Sequence, residues 1–369
     1  EGIDFFIRNK KRPHRFRMAD NVVEYGFPLT TFTPAHLQRM ILMDYISMIE
    51  VSRIEFNSRR NEIIDITKLI VYGMLYKKFD DHIYKIIIKS RFIENWNCFH
   101  PDRIIDEKSR INWNGINVIL ARKEKEVEEC FDIIMASVEE EIEEDESLSA
   151  EDKKMSLHTA SLFLKHLKEI IWYILICSKR MEEWEGMICG IKDELLSYLG
   201  KTRIAEYLSL VVMELSSYAE TANLKDYVRK TYRKKRYIDN ILYNAELRDK
   251  ILQRLAGKNE FLFLTWKIRS RHGYTGNECR LQTILFNKAY EYQKIKIEIE
   301  DRNRIDLKGK TLYDFYSKTP EDERNNQLGL FYLSYLNEAC NKQNIHFDSF
   351  VNHALQNDLT VINMSLNFK

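Results

Sequence analysis

Turn-forming residues are scarce in this chain: of its 369 residues, 12 are glycine and 5 are proline. Average usage is about 7% glycine and 5% proline, so both fall well below the norm. This excludes collagen-like, glycine-linker and proline-rich disordered chains, and it disfavours sandwiches and barrels, which need many tight turns. Long helices are the favoured interpretation. At about 150 residues per domain, we expect two domains rather than one.

Charge is balanced over the whole chain but not along it. The 57 basic and 56 acidic side chains leave a net charge of +1, which excludes a general attraction to nucleic acid or anionic lipid. Residues 8–17 hold six bases and no acid, residues 124–154 hold fourteen acids and three bases, and residues 225–236 hold seven bases and one acid. Each segment is interpreted first as a solvated helix face or arm.

The cysteine and hydropathy patterns predict reduced thiols and no membrane span. Six cysteines are scattered without a C-x-x-C pair, so neither a disulfide framework nor a zinc site is expected. The longest apolar run, 170–177, is far shorter than the roughly 20 residues that cross a bilayer. No signal-peptide pattern is present. These features together predict a cytoplasmic protein.

Apolar residues recur at helical spacing through most of the first 224 residues. Residues 1–30, in contrast, lack a clear period and are interpreted as an arm or irregular edge. Ser149 is expected to cap a new helix, because acidic residues follow it in the first turn. Gly200 is expected to end one helix of a helical pair. The helices predicted in this way cover 37–49, 60–95, 115–146, about 150–177 and 191–224.

The period changes from 3.6 to 2 after about residue 258, which predicts strands at 261–269, 294–300 and 359–368. A further apolar helix is predicted at 328–340. The fold class is therefore α+β, with a helical N-terminal half followed by a C-terminal α/β-sandwich. The predicted domains are 1–150 (helical), 151–200 (connecting helices of a dimerisation type) and 201–369.

Residues 195–223 resemble the first conserved helix of the histidine-kinase, gyrase and heat-shock-chaperone ATPase superfamily, the GHKL or Bergerat fold. The E-L-x-x-N-A box of that helix corresponds here to 214–219, which begins at Glu214. Asp301, after the predicted strand 294–300, matches the acid that contacts adenine in the family. Gly329 matches the segment that opens the helix over the phosphates. The resemblance covers about 190–369, and it implies a histidine-kinase-like ATPase domain.

The sequence departs from the family pattern at the positions that handle nucleotide. Tyr218 stands where the family has the asparagine that holds magnesium, and a phenol cannot replace an amide carbonyl as a ligand. Arg302, Asn303 and Arg304 stand where glycines let the backbone approach a ligand closely. Of the last box only Gly329 remains. The resemblance therefore implies a degenerate domain without a cofactor, with binding of ATP and magnesium disfavoured.

The function implied by the degenerate domain is that of a non-catalytic bacterial signalling or scaffold protein, which acts through protein–protein contacts. By analogy with the family, homodimerisation would use the helices of 151–200. An active or nucleotide-sensing ATPase that tolerates the altered boxes is the first alternative, and ATP binding would distinguish the two.

A nucleic-acid-binding protein is the second alternative, because aromatic residues interleave with bases near position 230. Its contact patch would comprise Arg233, Lys234, Lys235 and Arg236. We expect this stretch to be a solvated face or a protein contact instead. Salt-dependent binding of nucleic acid would reverse that expectation.

Overall fold

A computed structural model describes most of the chain, and its described residues form two compact units. The first, the sheet unit, comprises 1–74 and 203–369, and the second, the helical unit, comprises 75–202. The predicted boundary at 150 falls inside the helical unit, and the one at 200 lies close to a unit boundary. The described residues are 4–9, 15–18, 41, 46–57, 60–106, 114–146, 148–232, 244–258, 260, 262–273, 276–288, 292–304, 328–354 and 359–368.

Seven antiparallel strands form one sheet in the described part of the sheet unit. Their spatial order is β2-β1-β3-β4-β5-β7-β6. The strands are β1 (Asp4–Asn9), β2 (Arg15–Met18), β3 (Ile46–Arg53), β4 (Leu262–Gly273), β5 (Gly276–Lys288), β6 (His346–Ala354) and β7 (Leu359–Phe368).

One face of the sheet carries the core of this unit. Leu264 lies opposite Leu285, which in turn lies opposite Ile362, and all three are almost completely buried. The next row contains Trp266 and Met364, also buried. This alternation confirms the strands expected at 261–269 and 359–368, because side chains two residues apart share a face.

Ten α-helices are present in the described residues. They are α1 (Arg60–Ile88), α2 (Arg91–Phe99), α3 (Asn114–Arg122), α4 (Glu124–Glu144), α5 (Ala150–Lys165), α6 (Glu169–Ser178), α7 (Trp184–Tyr232), α8 (Ala245–Gly257), α9 (Tyr292–Asn303) and α10 (Leu328–Lys342). The α+β class is thus observed. Ser149 caps α5 in a reciprocal capping box with Asp152, as its sequence context predicts.

The N-terminal prediction is wrong in two places. β1 and β2 lie within the supposed arm and pair with each other. The end of the predicted helix 37–49 belongs to β3, where the pairing register shifts between Arg8 and Asn9. This bulge adds one residue to β3, so Ile46 and Ile49 are both buried although they lie three residues apart. A bulged strand can therefore imitate helical spacing.

The predicted strand 294–300 is helical and belongs to α9. Ile295 and Ile299, four residues apart, are each 1% exposed, whereas Ile297 between them is 55% exposed. The same segment places each lysine four residues before a glutamate, as in the Lys294–Glu298 pair at 4.0 Å. Residues that alternate with a period of two include pairs four positions apart, and such pairs lie on one face of a helix. An alternating sequence can therefore fold as a helix that buries every second one of its apolar residues.

Two helix boundaries also differ from the prediction. The supposed helical pair 191–224 is one helix of 49 residues, α7, and Gly200 lies inside it rather than at its end. The supposed helix 150–177 is two helices, α5 and α6, separated at His166–Lys168. Lys168 at this break forms an ion pair with the buried Asp80 of α1. The Lys168–Asp80 contact coincides with the break between α5 and α6, whereas the single exposed Gly200 does not end α7.

No helix in the described ranges is long and apolar enough to span a membrane. The six cysteines are all free thiols.

Candidate functional site

The structure distributes the predicted site residues over three helices. Glu214 and Tyr218 lie on α7, Asp301 lies on α9, and Gly329 is the second residue of α10. Asp301 is exposed, and it follows a helical segment rather than a strand. The support that a strand before Asp301 would lend to the GHKL resemblance is therefore absent. The basic patch Arg233, Lys234, Lys235 and Arg236 lies outside the described residues.

One face of α7 within the sheet unit remains partly accessible. Its half-buried residues recur every three to four positions, as expected for one helix face. We call this face the α7 stripe; it consists of Glu206, Tyr207, Leu210, Glu214, Ser217, Tyr218, Thr221 and Lys225. Two carboxylates and two phenols therefore share a surface that contacts both protein and solvent.

Glu214 occupies the middle of the α7 stripe. Burial raises the pKa of this carboxyl to about 7, and the positive charge of Arg60 opposes the increase. Its Oε2 atom is buried and has no hydrogen-bond partner among the described residues. A carboxylate without a donor is poorly stabilised, which explains why the neutral acid is favoured. Glu214 therefore changes charge near neutral pH.

Helix α1 contributes the first set of neighbours of the α7 stripe. Lys68 Nζ lies 3.6 Å from Glu206 Oε1, at the N-terminal end of the stripe. Burial raises the pKa of Tyr72 to about 12, and the charge of Glu206 adds to this effect. Near the other end, Ser217 Oγ donates a hydrogen bond of 2.7 Å to Asn57 Oδ1, just before α1. The charge of Glu206 is thus neutralised by a lysine of the chain itself.

Helices α9 and α10 supply further neighbours. Lys294 Nζ of α9 lies 5.8 Å from the centre of the Tyr218 ring, within range of a cation–π contact. The Tyr207 ring lies 6.4 Å from that of Tyr332 and 5.8 Å from that of Tyr335, both on α10. The stripe therefore has aromatic rings on both sides of Glu214 along the helix.

A third carboxylate on α7, Glu220, is a structural tie that the sequence patterns did not reveal. It is 1% exposed, and its Oε2 accepts hydrogen bonds from the backbone N–H groups of Phe56 at 2.9 Å and Asn57 at 3.1 Å. Arg248 of α8 pairs with the other oxygen. Burial raises the pKa of Glu220, whereas Arg248 and the two N–H groups lower it. Its partners are 28 to 164 residues away, so no local pattern could identify it.

The chain belongs to a family of unknown function, DUF8084, whose model matches residues 1–368. It is 31% identical over 369 residues to an uncharacterized protein from Treponema pallidum (strain Nichols). That alignment covers 100% of this chain and 95% of the relative. No solved structure matches the chain significantly. The comparisons therefore give the family, whereas any function must be argued from the residues.

Replacing Glu214 by glutamine should stabilise the protein in a pH-dependent manner. Because the folded-state pKa lies above the unfolded value, ionisation makes the wild type progressively less stable as pH rises from about 4.5 to about 7. Glutamine does not ionise, so at about pH 8 its unfolding free energy should exceed that of wild type by about 2 kcal/mol after allowance for solvent screening. Urea unfolding would measure the difference.

At about pH 4 the carboxyl is mostly protonated in both the folded and unfolded states, so the variant and wild type should differ little in stability. Glu206→Gln is the matched control on the same stripe, since that carboxylate already has a lysine partner. A constant stability difference from pH 4 to pH 8 would contradict the assignment.

Proposed function

We propose that this protein is a partner-binding scaffold, and that a fixed apolar turn on the helical unit is its main contact. The observation that carries the proposal is the exposure of Phe99, which is 81% accessible at the end of α2. Ile104, five residues later, is 55% exposed. Large apolar side chains that are this exposed and this close together favour a protein contact.

The turn that carries these side chains is held by specific hydrogen bonds. The Asn97 amide donates to Ile105 O at 2.9 Å and accepts from Ile105 N at 2.7 Å, closing the turn across eight residues. Tyr84 Oη donates to Asp106 O at 3.2 Å. The ring of His100 stacks on Trp96 with 4.0 Å between ring centres. Phe99 is therefore presented from a defined backbone rather than from a free loop.

The start of α2 is equally well fixed. Ser90 Oγ accepts a hydrogen bond from Ile93 N at the N-cap, and the Glu183 carboxylate accepts from Arg91 N at 3.0 Å and Phe92 N at 3.2 Å. These bonds satisfy N–H groups that a helix start leaves without partners. A side chain on such a support loses little conformational entropy when a partner covers it, which favours tight binding.

The rest of the helical unit indicates what kind of partner would fit. Seven of the eleven large hydrophobic residues that are exposed in the described structure lie within 75–202, including Val118 and Ile119 on α3. The exposed face of α4 is rich in glutamate, with Glu139 and Glu140 among its exposed residues. A partner with an apolar pocket and a basic rim complements this combination.

This proposal retains the scaffold role expected from the sequence but not its basis in the GHKL resemblance. A degenerate ATPase domain would need a strand before Asp301, and that segment belongs to α9. The contact proposed here depends on the helical unit alone, so it is independent of whether the sheet unit binds nucleotide.

Substitution of Phe99 by aspartate should abolish the proposed contact without unfolding the chain. The partner would first be captured in the native cell by a photo-crosslinking amino acid placed at position 99, then purified. Because exposed aromatic anchors carry much of an interface's binding energy, affinity for that partner should fall at least about 30-fold in Phe99→Asp. Calorimetry would measure it, with melting temperature as the check on folding.

Ile297→Asp provides the matched control, since Ile297 is 55% exposed on α9, outside the helical unit. Its affinity should stay within about threefold of wild type, as is usual for residues outside a hot spot. Equal binding by wild type and Phe99→Asp, or no crosslinked protein at position 99, would refute the proposal.

A further inference from the structure

The two carboxylates of the α7 stripe differ in whether a partner of opposite charge lies beside them. At its N-terminal end the Lys68 ammonium neutralises Glu206 at 3.6 Å. At the other end the Lys294 ammonium lies over the Tyr218 ring at 5.8 Å. Glu214, between them, has one buried oxygen without a hydrogen-bond partner among the described residues. Among the described residues, Arg60 is the cation whose charge acts on Glu214, and no hydrogen bond reaches its buried oxygen.

Aromatic rings flank this central carboxylate on both sides. On an α-helix, Tyr207 lies about 10 Å before Glu214 and Tyr218 about 6 Å after it, at 1.5 Å per residue. Tyr207 is backed by Tyr332 and Tyr335 of α10, which extends the aromatic surface. Electron-rich ring faces beside a carboxylate form an environment that attracts organic cations.

We infer that the α7 stripe binds a small organic ammonium ion, with Glu214 as its counter-ion and Tyr207 and Tyr218 as flanking aromatic faces. The contact of Lys294 with Tyr218 shows that this surface already accommodates an ammonium group of the chain itself. An ammonium ligand reaches the accessible part of Glu214, which is half-buried. This site lies in the sheet unit and is independent of the partner contact proposed above.

The charged groups around Glu214 set the pH dependence of this binding. Arg60 from α1 is the cation that lowers the pKa of Glu214, and it opposes a cationic ligand. Lys294 of α9 is 59% exposed and therefore well screened. Glu206 is already paired with Lys68. Since burial raises the pKa of Glu214 to about 7, the carboxylate that the ligand needs is present above neutral pH and lost below it.

Choline and its neutral carbon isostere, dimethylbutanol, test the inference by calorimetry on the full chain at about pH 8. Choline should bind the wild type, and the isostere should not. Glu214→Gln should weaken choline binding at least about tenfold, the effect of about 1.4 kcal/mol of lost charge pairing. Lowering the pH to about 5.5 should weaken wild-type binding by a similar factor and leave the weak binding of Glu214→Gln unchanged.

Three further variants keep the test specific. Glu206→Gln, on the same stripe, should bind choline within about twofold of wild type, because its carboxylate is already neutralised. Tyr218→Phe should retain binding because it keeps the ring, whereas Tyr218→Leu should lose it. The inference is overturned if choline does not bind, if the isostere binds equally well, or if Glu214→Gln binds choline like wild type.

Discussion

Replacing Glu220 by alanine should lower the free energy of unfolding by about 3–5 kcal/mol, the usual cost of removing one partner from a buried ion pair. Alanine would leave the Arg248 guanidinium and the backbone N–H groups of Phe56 and Asn57 without their acceptor. These groups connect α7 with α8 and with the segment after β3. Urea denaturation at neutral pH would measure the loss.

Glu55→Ala is the matched control for this substitution. Glu55 also lies near Arg248, with 3.8 Å between Oε2 and the guanidinium nitrogen, but its side chain is 28% exposed and makes a longer contact. Its removal should cost no more than about 1 kcal/mol, as for other solvent-accessible ion pairs. Similar losses for the two variants would mean that Glu220 is not the tie that the structure indicates.

Ile299→Ala should destabilise the protein by about 2–5 kcal/mol, because it leaves a cavity in the core next to α9. Ile297→Ala, two residues earlier, should change stability by less than about 0.5 kcal/mol. The reason is the difference in burial: Ile299 is 1% exposed, whereas Ile297 is 55% exposed. Chemical denaturation of the two variants and the wild type would provide the comparison.

This pair of variants distinguishes a helix from the strand that the alternating sequence predicts. In a strand, residues 295, 297 and 299 would share one face, and both alanine substitutions would be costly. Equal losses at 297 and 299 would therefore contradict the helical assignment of α9. Ile295→Ala should resemble Ile299→Ala, since Ile295 is also 1% exposed.

Local sequence patterns predict the elements whose surroundings agree with them. The strands at 261–269 and 359–368 alternate and are buried on one face, so their period and packing agree. The Ser149 cap depends only on residues within four positions of it. Helices occupy most of 60–146, as apolar residues at helical spacing predict.

The wrong predictions concern segments whose spacing of apolar residues fits both a helix and a strand. A bulge places two buried residues of β3, Ile46 and Ile49, at helical spacing. The alternating residues around Ile297 include Ile295 and Ile299, which lie four positions apart, as on one face of a helix. Neither ambiguity can be resolved from the neighbouring residues, since the pairing strand or packing helix comes from elsewhere in the chain. The same holds for Glu220, whose partners are distant in sequence.

The features of the candidate site likewise come partly from the sequence and partly from the tertiary structure. The resemblance singled out Glu214 and Tyr218, and α7 places them on one helix face because residues four apart on a helix are adjacent. It could not show that Lys294 would lie over the ring of Tyr218, or that Glu214 would be buried without a donor. Both depend on how α7 packs against other helices, and that packing sets the local dielectric and therefore the charge state.

What the sequence by itself determined is the α+β class, the scarcity of turns, most helices and two strands, because each of these depends on short-range periodicity and intrinsic propensity. Only the tertiary structure decided that the N-terminal residues complete the sheet, that 294–300 is helical, and that Asp301 does not follow a strand. It also decided that Glu220 is a structural tie and that Glu214 has a buried oxygen without a hydrogen-bond partner among the described residues. The physical reason is that burial and hydrogen-bond partners come from residues far apart in the chain.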